Sequence, residues 1–277
     1  MRSTVVRQFR RSRSAVFGLL VVVVFLLTAA VAPWIAPHDP IALGLGQQLK
    51  APSLEYPLGT DELGRDLLSR VLWGARYTLL ITIGAVALAL LVGTASGIYS
   101  GFLGGWSDTL IMRLMDILLA IPGFLLAIAI IAALGVGIVN VIIAVGVHAI
   151  PVFARIARGA TLSVREQEYV QAARALGSRN SRIMLRHILP NVTPPVLVQT
   201  TLQLATAILT ASGLSFLGLG TQPPTPEWGA MLSAGRTYIT SNPQLAAIPG
   251  LAILLVALGF NLMGDGLRDA LDPRLRR

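Results

Sequence analysis

The sequence contains no cysteine among its 277 residues and little charge, since only 13% of them are Asp, Glu, Lys or Arg. The missing cysteine excludes a disulfide framework, a thiolate metal site and a Cys nucleophile. Globular chains average about 25% charged and about 45–50% apolar residues. Here 54% of residues are hydrophobic and the mean hydropathy is +0.72, which predicts an integral membrane protein.

Acidic side chains are absent from every long apolar segment. An ion-coupled secondary transporter would carry intramembrane acids, or broken helices at matching places in two halves, and the sequence indicates neither. The chain has no G-x-x-x-x-G-K-[ST] phosphate loop and no Ser-His-Asp or paired-carboxylate arrangement. His148 is the only histidine in an apolar segment, and a neutral histidine bonded to a backbone carbonyl is favoured over a proton or metal site. We expect no catalytic residue and no metal site.

Five segments lack Asp, Glu, Lys and Arg altogether, namely 14–38, 77–107, 117–154, 191–226 and 237–264. A membrane helix needs about 20 apolar residues, so four of these segments supply one helix each. The third segment has 38 residues, about 57 Å as one helix at about 1.5 Å per residue. Because Gly135, Gly137 and Asn140 indicate a turn at its centre, we predict two helices there. The fold class is therefore an all-α integral membrane protein with six transmembrane helices.

The basic residues distribute unequally between the two sides of this arrangement. One side receives 17 arginines and the other receives five Lys or Arg. The positive-inside rule therefore places both termini in the cytoplasm, and the net charge of +9 reads as a topology signal rather than as a nucleic-acid surface. The predicted organisation is an N-terminal unit 1–76, a core 77–266 that contains a cytoplasmic loop 155–195, and a cytoplasmic tail 267–277.

The N-terminal unit leaves two alternatives open. Five arginines, an apolar run and the small residues 30–32 also describe a cleavable signal peptide, but the run exceeds a usual signal core and Pro33 follows directly, so an uncleaved first helix is preferred. The external connection 39–76 ends in leucines and valines at helical spacing. An amphipathic helix at the outer interface is favoured there over a solvated loop, on the basis of Leu63, Leu67, Leu68, Val71 and Leu72.

Two helix faces carry small or polar residues inside the predicted spans. Gly93, Gly97 and Gly101 follow one another at four-residue spacing, which predicts a face for close helix packing. The fifth span carries a polar stripe. Buried amide side chains are costly without partners, so this stripe must meet either a water-filled translocation path, which Gln199 and Gln203 favour, or other helices. Its members are Gln199, Gln203, Thr206 and Thr210.

The basic loop between the fourth and fifth spans has its own pattern. Apolar residues of one helix face lead to Gly177, where glycine can end a helix in the left-handed conformation. A second short helix is then expected, with Pro190, Pro194 and Pro195 ending it before the fifth span. A rigid helix, glycine turn and helix would receive a push from a partner outside the membrane and pass it to the spans.

This loop resembles the Glu-Ala-Ala loop of ABC-importer permeases. In that family Ala-Ala is followed by three residues and a glycine, then nine residues and a closing Ile-x-Leu-Pro. The match is in register at Ala172, Ala173, Gly177, Leu189 and Pro190. Gln171 stands in place of the glutamate, although Glu168 lies one turn earlier, and His187 replaces the isoleucine.

Four further blocks resemble the dipeptide permease C type, the second permease subunit of peptide and nickel importers. They read LGTDELGRDLLSR, GFLGGWSDTLIMRLMDI, LGLGTQPPTPEWGAML and NLMGDGLRDALDPR. The resemblance implies the ABC-importer permease fold and a multi-pass place in a bacterial or archaeal cytoplasmic membrane. It also implies the partners: a homologous permease with which the chain forms a heterodimer, two cytoplasmic ATPase subunits that hold ATP and Mg, and an extracytoplasmic substrate-binding protein.

The resemblance makes the chain a transport subunit rather than an enzyme, because ATP hydrolysis belongs to the ATPase partners. Movement of those partners would reach the spans through the loop around residues 165–190. Short peptides are the expected cargo, since an amide- and hydroxyl-lined path suits a peptide backbone. Nickel, glutathione or another small solute is the alternative cargo for the same machine.

Overall fold

The computed structural model describes residues 2–44 and 46–271, and the regular elements of these ranges are all helical. The predicted tail 267–277 therefore lies partly outside the described residues, and with it Arg274, Arg276 and Arg277. The α-helices of the described ranges are α1 Arg2–Arg11, α2 Arg13–Ile35, α3 Leu67–Leu103, α4 Gly105–Ala120, α5 Gly123–Leu134, α6 Ile138–Arg165, α7 Glu168–Ala175, α8 Asn180–Ile183, α9 Leu189–Phe216, α10 Trp228–Gly235 and α11 Gln244–Leu271.

Five of these helical runs are long and apolar enough to cross a membrane. They are α2, α3, α6, α11 and a continuous helix from Asn180 to Phe216 that joins α8 to α9. Helices α4 and α5 make up a further pair, bent by 94° at a short break. The turn predicted at Gly135 and Gly137 separates α5 from α6, and both glycines have positive φ.

The direction in which α3 packs on α6 shows whether α4 and α5 together form one membrane crossing. Gly84 of α3 lies against Ile142 of α6, and Gly101 near the end of α3 lies against Arg158 and Thr161 near the end of α6. The two helices therefore run parallel. Parallel spans joined in sequence require the intervening chain to return once across the layer, so α4 and α5 together form one crossing and the bundle has six.

Glycine allows the backbones of α3 and α6 to approach closely. A Cβ atom added at Gly93 would lie 2.6 Å from the carbonyl oxygen of Ile150, which is closer than non-bonded atoms can come. Gly97 meets the Ala154 carbonyl oxygen and the Ala157 methyl group in the same way. In lipid such contacts replace the hydrophobic drive for helix association.

A second close approach joins α2 to α11, and the sequence analysis did not single it out. Gly18 of α2 meets the carbonyl oxygen of Gly259, and Gly266 of α11 meets Ala15. The residue numbers change in opposite directions, so α2 and α11 are antiparallel. Gly264 of α11 lies over Thr201 on α9, and α11 thus packs against both α2 and α9.

The predicted amphipathic interface helix is wrong in its extent. Helix α3 begins at Leu67 and continues without a break through the second span, while Leu63 lies in the preceding turn. Asp66 caps α3 by accepting a hydrogen bond from the Ser69 amide at 2.9 Å. Arg70 is buried and donates to the Pro40 carbonyl oxygen at 2.9 Å. These charged residues bind protein groups, so the segment is the end of a span.

The prediction that prolines end the second loop helix is also wrong. The chain from Asn180 to Phe216 stays helical through Pro190, Pro194 and Pro195. A π-helical turn over Met184–Ile188 precedes them, and the Leu189 amide donates to the carbonyl oxygen of Met184, five residues earlier. This wider turn accommodates a proline ring without a break, because Pro190 has no amide hydrogen and would crowd an ordinary α-turn.

We predict that Gly97→Ala lowers the free energy of unfolding by about 2 kcal/mol, because overpacking typically costs about 1–3 kcal/mol. Gly159→Ala is the matched control, since nothing lies within 4 Å of a Cβ at Gly159. Thermal unfolding of the detergent-purified chain measures both variants. Equal midpoints for the two would contradict the close packing of α3 on α6.

Candidate functional site

The loop between α6 and α9 has the predicted order of helix, glycine turn and helix. Helix α7 ends with the Leu176 amide donating to the Ala172 carbonyl oxygen at 3.0 Å and the Ser178 amide donating to that of Ala173 at 3.1 Å. Gly177 has φ +75°, the left-handed conformation that such a helix end requires and that a side chain strains. The reversal is therefore set by one glycine.

Helix α7 is held to the bundle by its inner face. Val170 is fully buried, as are Ile183 and Ile188 on the next helical segment, and all three belong to the main hydrophobic core. The Arg174 guanidinium lies 5.3 Å from the ring centre of Phe102 on α3. The Asn191 amide donates to the Tyr169 hydroxyl at 3.2 Å. The loop is thus packed onto the ends of three helices.

The outer face of α7 is exposed and partly apolar. Tyr169 and Leu176 are 45% and 87% exposed, and Ala172 between them is exposed as well. These residues at spacings of three and four form one helix face. Leu176 was not predicted as a site residue, although a leucine so exposed on a basic loop indicates a surface that another chain covers.

The remaining loop residues of the family pattern surround this face. Glu168 is exposed, and the Gln171 amide donates to the Glu166 carbonyl oxygen at 3.1 Å. Ala173 is half-buried. Leu189 and Pro190 are exposed at the start of α9, between His187 and Asn191, which both contact Tyr169 of α7. The structure therefore places Glu168, Gln171, Ala172, Ala173 and Gly177 on or beside α7, and Leu189 and Pro190 on the neighbouring helix.

The loop is joined stiffly to the spans on the α6 side. Arg165, the last residue of α6, donates to the Gly101 carbonyl oxygen of α3 at 2.8 Å. About two turns earlier, Arg158 makes two hydrogen bonds of 2.6 and 2.7 Å to Asp108 on α4. Two-point guanidinium–carboxylate contacts fix orientation as well as distance, so the ends of α3, α4 and α6 are tied together.

The break between α4 and α5 lies between two spans. A Cβ at Gly123 would overlap the His148 ring of α6, and Phe124 lies against Gly213 of α9. The sequence analysis missed this break, although Pro122 followed by Gly123 is an ordinary signal for one. His148 thus contacts the break by ring packing.

The polar stripe of α9 divides by exposure. Gln203 is 6% exposed and Gln199 is half-buried. Thr206 is exposed and Thr210 half-buried, and their hydroxyls donate to the carbonyl oxygens of Leu202 and Thr206 in their own helix. The two threonines therefore lie nearer the open surface than Gln203 does.

A buried polar cluster at the opposite end of the bundle was not predicted. Glu227 is fully buried and accepts hydrogen bonds of 2.9 Å from the amides of Gly229 and Ala230, which begin α10. The Thr78 hydroxyl of α3 donates to the same carboxylate at 3.2 Å. The Trp228 indole donates to the Val71 carbonyl oxygen at 2.9 Å. A Glu directly before a helix could have been recognised as a possible cap.

Burial raises the pKa of Glu227, and the two backbone hydrogen bonds oppose this shift only in part. Water is removed from the carboxylate, and the charged form is therefore disfavoured. The carboxyl caps α10 and joins it to α3, while Phe25 of α2 contacts Trp228 edge to face at 5.5 Å. This cluster ties three elements together near one end of the bundle.

Comparison with known proteins gives the family. Residues 90–277 match the family described as "Binding-protein-dependent transport system inner membrane component". The chain belongs to that family. Residues 2–52 of this permease also match the N-terminal TM domain of oligopeptide transport permease C. It is therefore a permease subunit of an ABC importer and a multi-pass protein of the inner membrane.

Two curated relatives cover nearly the whole permease. The dipeptide transport system permease protein DppC of Alkalihalophilus pseudofirmus is 46% identical over 270 residues, which are 98% of this chain and 89% of that protein. The glutathione transport system permease protein GsiD of Escherichia coli is 48% identical over 271 residues, with the same shares of 98% and 89%. Both relatives are permease subunits by name.

A solved structure shares the fold. The MetNI methionine ABC transporter in an inward-facing conformation contains a chain that is 20% identical to this permease, with a TM-score of 0.58. The match covers 73% of this chain and 97% of that chain. The predicted ABC-importer permease fold is thus confirmed.

The raised pKa of Glu227 predicts a pH effect on stability. In the unfolded chain the pKa of this carboxyl is about 4.3, and in the folded chain its pKa is higher. Its contribution to the free energy of unfolding is therefore greatest below the unfolded pKa and falls as the pH rises to the folded value. Between pH 4 and 8, thermal unfolding should show the stability of Glu227→Gln rising relative to that of the wild type as the pH increases.

Two comparisons make this test decisive. Glu227→Ala leaves the amides of Gly229 and Ala230 without an acceptor, so it should lose about 1–3 kcal/mol at every pH. A constant difference between wild type and Glu227→Gln across the pH range would show that the carboxyl titrates alike in both states.

Proposed function

We propose that this permease moves short peptides inward across the membrane as one half of a heterodimer with a homologous permease. Two cytoplasmic ATPase subunits, which hold ATP and Mg, drive the movement, and an extracytoplasmic binding protein delivers the peptide. The single observation that supports this most is the exposed face of α7, formed by Tyr169, Ala172 and Leu176, on a helix whose other face is buried in the core.

The geometry of α7 suits a mechanical connection. A partner that holds Tyr169 and Ala172 also holds Val170, because all three lie on one helix of eight residues. Val170 packs in the same core as α3 and α6, and Arg165 is bonded to α3. Displacement of α7 therefore moves the spans with it. A permease of this kind is a two-state element whose equilibrium is shifted by differential contacts with its partners.

The orientation follows from the same proposal. ATPases are cytoplasmic, so the loop 155–195 faces the cytoplasm, as do both termini in a bundle of six crossings. The N-terminal unit 1–76 then adds one span, an external connection and the first turns of α3 to a core of residues 77–266. Glu227 and its cluster lie at the external end, where the binding protein docks.

The cargo proposal rests on the relatives and on α9. The two relatives described above carry the names dipeptide and glutathione permease, and both of those solutes contain peptide bonds and free charged ends. Thr206 and Thr210 offer hydroxyls near the open surface of α9, where a peptide backbone can exchange its hydrogen bonds with water for others. Short peptides, with glutathione as a second candidate, fit these observations better than nickel does.

Gly177→Val should uncouple the ATPases from transport. A β-branched side chain in the left-handed region is strained by about 1–2 kcal/mol, enough to shift a conformational equilibrium about tenfold. Transport-coupled ATP hydrolysis in the purified importer should fall accordingly, while insertion into the membrane stays normal. Gly177→Asn is the matched control, since Asn tolerates this conformation. Unchanged coupled hydrolysis in the Val variant would remove Gly177 from the coupling route.

Thr206→Leu combined with Thr210→Leu should lower peptide uptake by roughly tenfold, since each peptide group left without a hydrogen bond costs about 1–3 kcal/mol. Gln199→Leu with Gln203→Leu should alter uptake as well. Copurification of the ATPases should be unaffected in both cases. Thr200→Val serves as a control off the stripe on the same helix. Normal uptake in the doubly substituted permeases would show that the stripe packs helices and that the path runs elsewhere.

A further inference from the structure

One ion pair of the bundle stands open to its surroundings. The Arg155 guanidinium on α6 donates to the Asp116 carboxylate on α4 at 2.6 Å, and the two side chains are 54% and 58% exposed. The neighbouring pair of Arg158 and Asp108 joins the same two helices but is 33% and 18% exposed and is bonded at two points. The Arg158–Asp108 pair fixes α6 to α4 at two points, whereas the Arg155–Asp116 pair has one hydrogen bond and leaves much of its surface exposed.

The place of the open pair excludes a lipid environment. Arg155 lies ten residues before the end of α6, about 15 Å along the helix axis, at the boundary between the apolar segment 117–154 and the loop 155–195 that the proposed function places in the cytoplasm. Asp116 is four residues before the end of α4, next to the bend. A charged side chain exposed to hydrocarbon is costly, and aspartate is too short to reach the lipid headgroups. The pair therefore faces water or another protein chain.

The exposed surface of α4 separates into two lines. Asp116 lies on a polar line with Thr109 and Arg113, all of them exposed, at spacings of four and three residues. The adjacent line is apolar and exposed, and consists of Trp106, Leu110, Leu114, Ile117 and Ile121. An apolar line is suited to contact with lipid or a partner helix, whereas a polar line beside Arg155 is suited to water. A polar line beside an apolar one is the surface that α4 would present at the border of a water-filled path.

A carboxylate and a guanidinium side by side match a solute with both charges. A free peptide carries an ammonium group at one end and a carboxylate at the other, and these can bind Asp116 and Arg155 in place of the internal partners. An exposed ion pair contributes little to stability, so opening it for a solute costs little. The internal pair re-forms when the solute leaves, which keeps binding weak, as passage requires.

We propose that Asp116 and Arg155 form a transit site in the translocation path for the charged ends of zwitterionic solutes. This proposal rests on the proposed function, since it specifies the chemistry that the path of this permease recognises. Asp108 and Arg158 hold α4 in place beside it. The exchange involves ion pairs and hydrogen bonds only, with no covalent step.

The absence of cysteine in this chain makes a direct test possible. The Asp116→Cys and Arg155→Cys variants each place one thiol in an otherwise thiol-free chain, within the complete importer in vesicles. Small methanethiosulfonate reagents with a positive or a negative end are added, and modification of this chain is followed by mass spectrometry. Both thiols should react, and glycylglycine should slow the reaction. Leu91→Cys, at an exposed apolar position of α3, is the control for a thiol in an apolar surface and should not react.

The ratio of the two reagents reports the charge that remains. Asp116→Cys leaves Arg155 unpaired, so the negative reagent should react about fivefold faster relative to the positive one than at an uncharged site. Arg155→Cys leaves Asp116, so the preference should reverse. The remaining charged residue also changes the ionisation of the thiol, which accelerates or slows both reagents alike. The ratio of the two reaction rates cancels this effect.

The outcomes separate the two proposals. Thiols that react with neither reagent, or that react without protection by glycylglycine and without reversal of preference, would overturn the transit site. ATP-driven uptake of glycylglycine by the wild-type importer tests the proposed function separately. Normal uptake with unprotected thiols would leave the peptide importer standing and remove only the site.

Discussion

The close parallel contact of α3 with α6 is the constraint on which the rest of the bundle depends. Gly93 and Gly97 let the two backbones approach to distances that any side chain would prevent. Because the helices are parallel, the residues between them must cross the membrane once in the return direction, and two helices of 16 and 12 residues do so. The bend between α4 and α5 follows from this, as does the position of α4 along the ends of α3 and α6.

This arrangement gives the loop between α6 and α9 a firm base. Arg165 is bonded to α3, Arg158 to α4, and Val170 is buried in the core that α3 and α6 share. The exposed face of α7 is therefore held rigidly against the spans. The open pair of Asp116 and Arg155 joins the same two helices, α4 and α6, farther from the loop. A partner that moves α7 acts on helices that also line the proposed path. The surface that receives the movement therefore lies close to the proposed solute site.

The sequence predicts the class, the crossings and the loop because each depends on local signals. Apolar length identifies spans, and Gly177 marks a helix end in any context. The extent of α3 could not be predicted, because it depends on Asp66 and Arg70 finding partners such as the Pro40 carbonyl oxygen. The continuity of α9 through its prolines depends on a π-helical turn that has no sequence signature. Glu227 lacked a recognised role because its partner, Thr78, is 149 positions away.

That separation in sequence has a consequence for biosynthesis. Val71 and Thr78 enter the membrane early, but their hydrogen-bond partners, the Trp228 indole and the Glu227 carboxylate, are synthesised 149 to 157 residues later. The hydrogen bonds at the start of α3 therefore form only after Glu227 and Trp228 have been synthesised. The first half of the chain is inserted before these contacts exist, so this end of α3 is completed late in assembly.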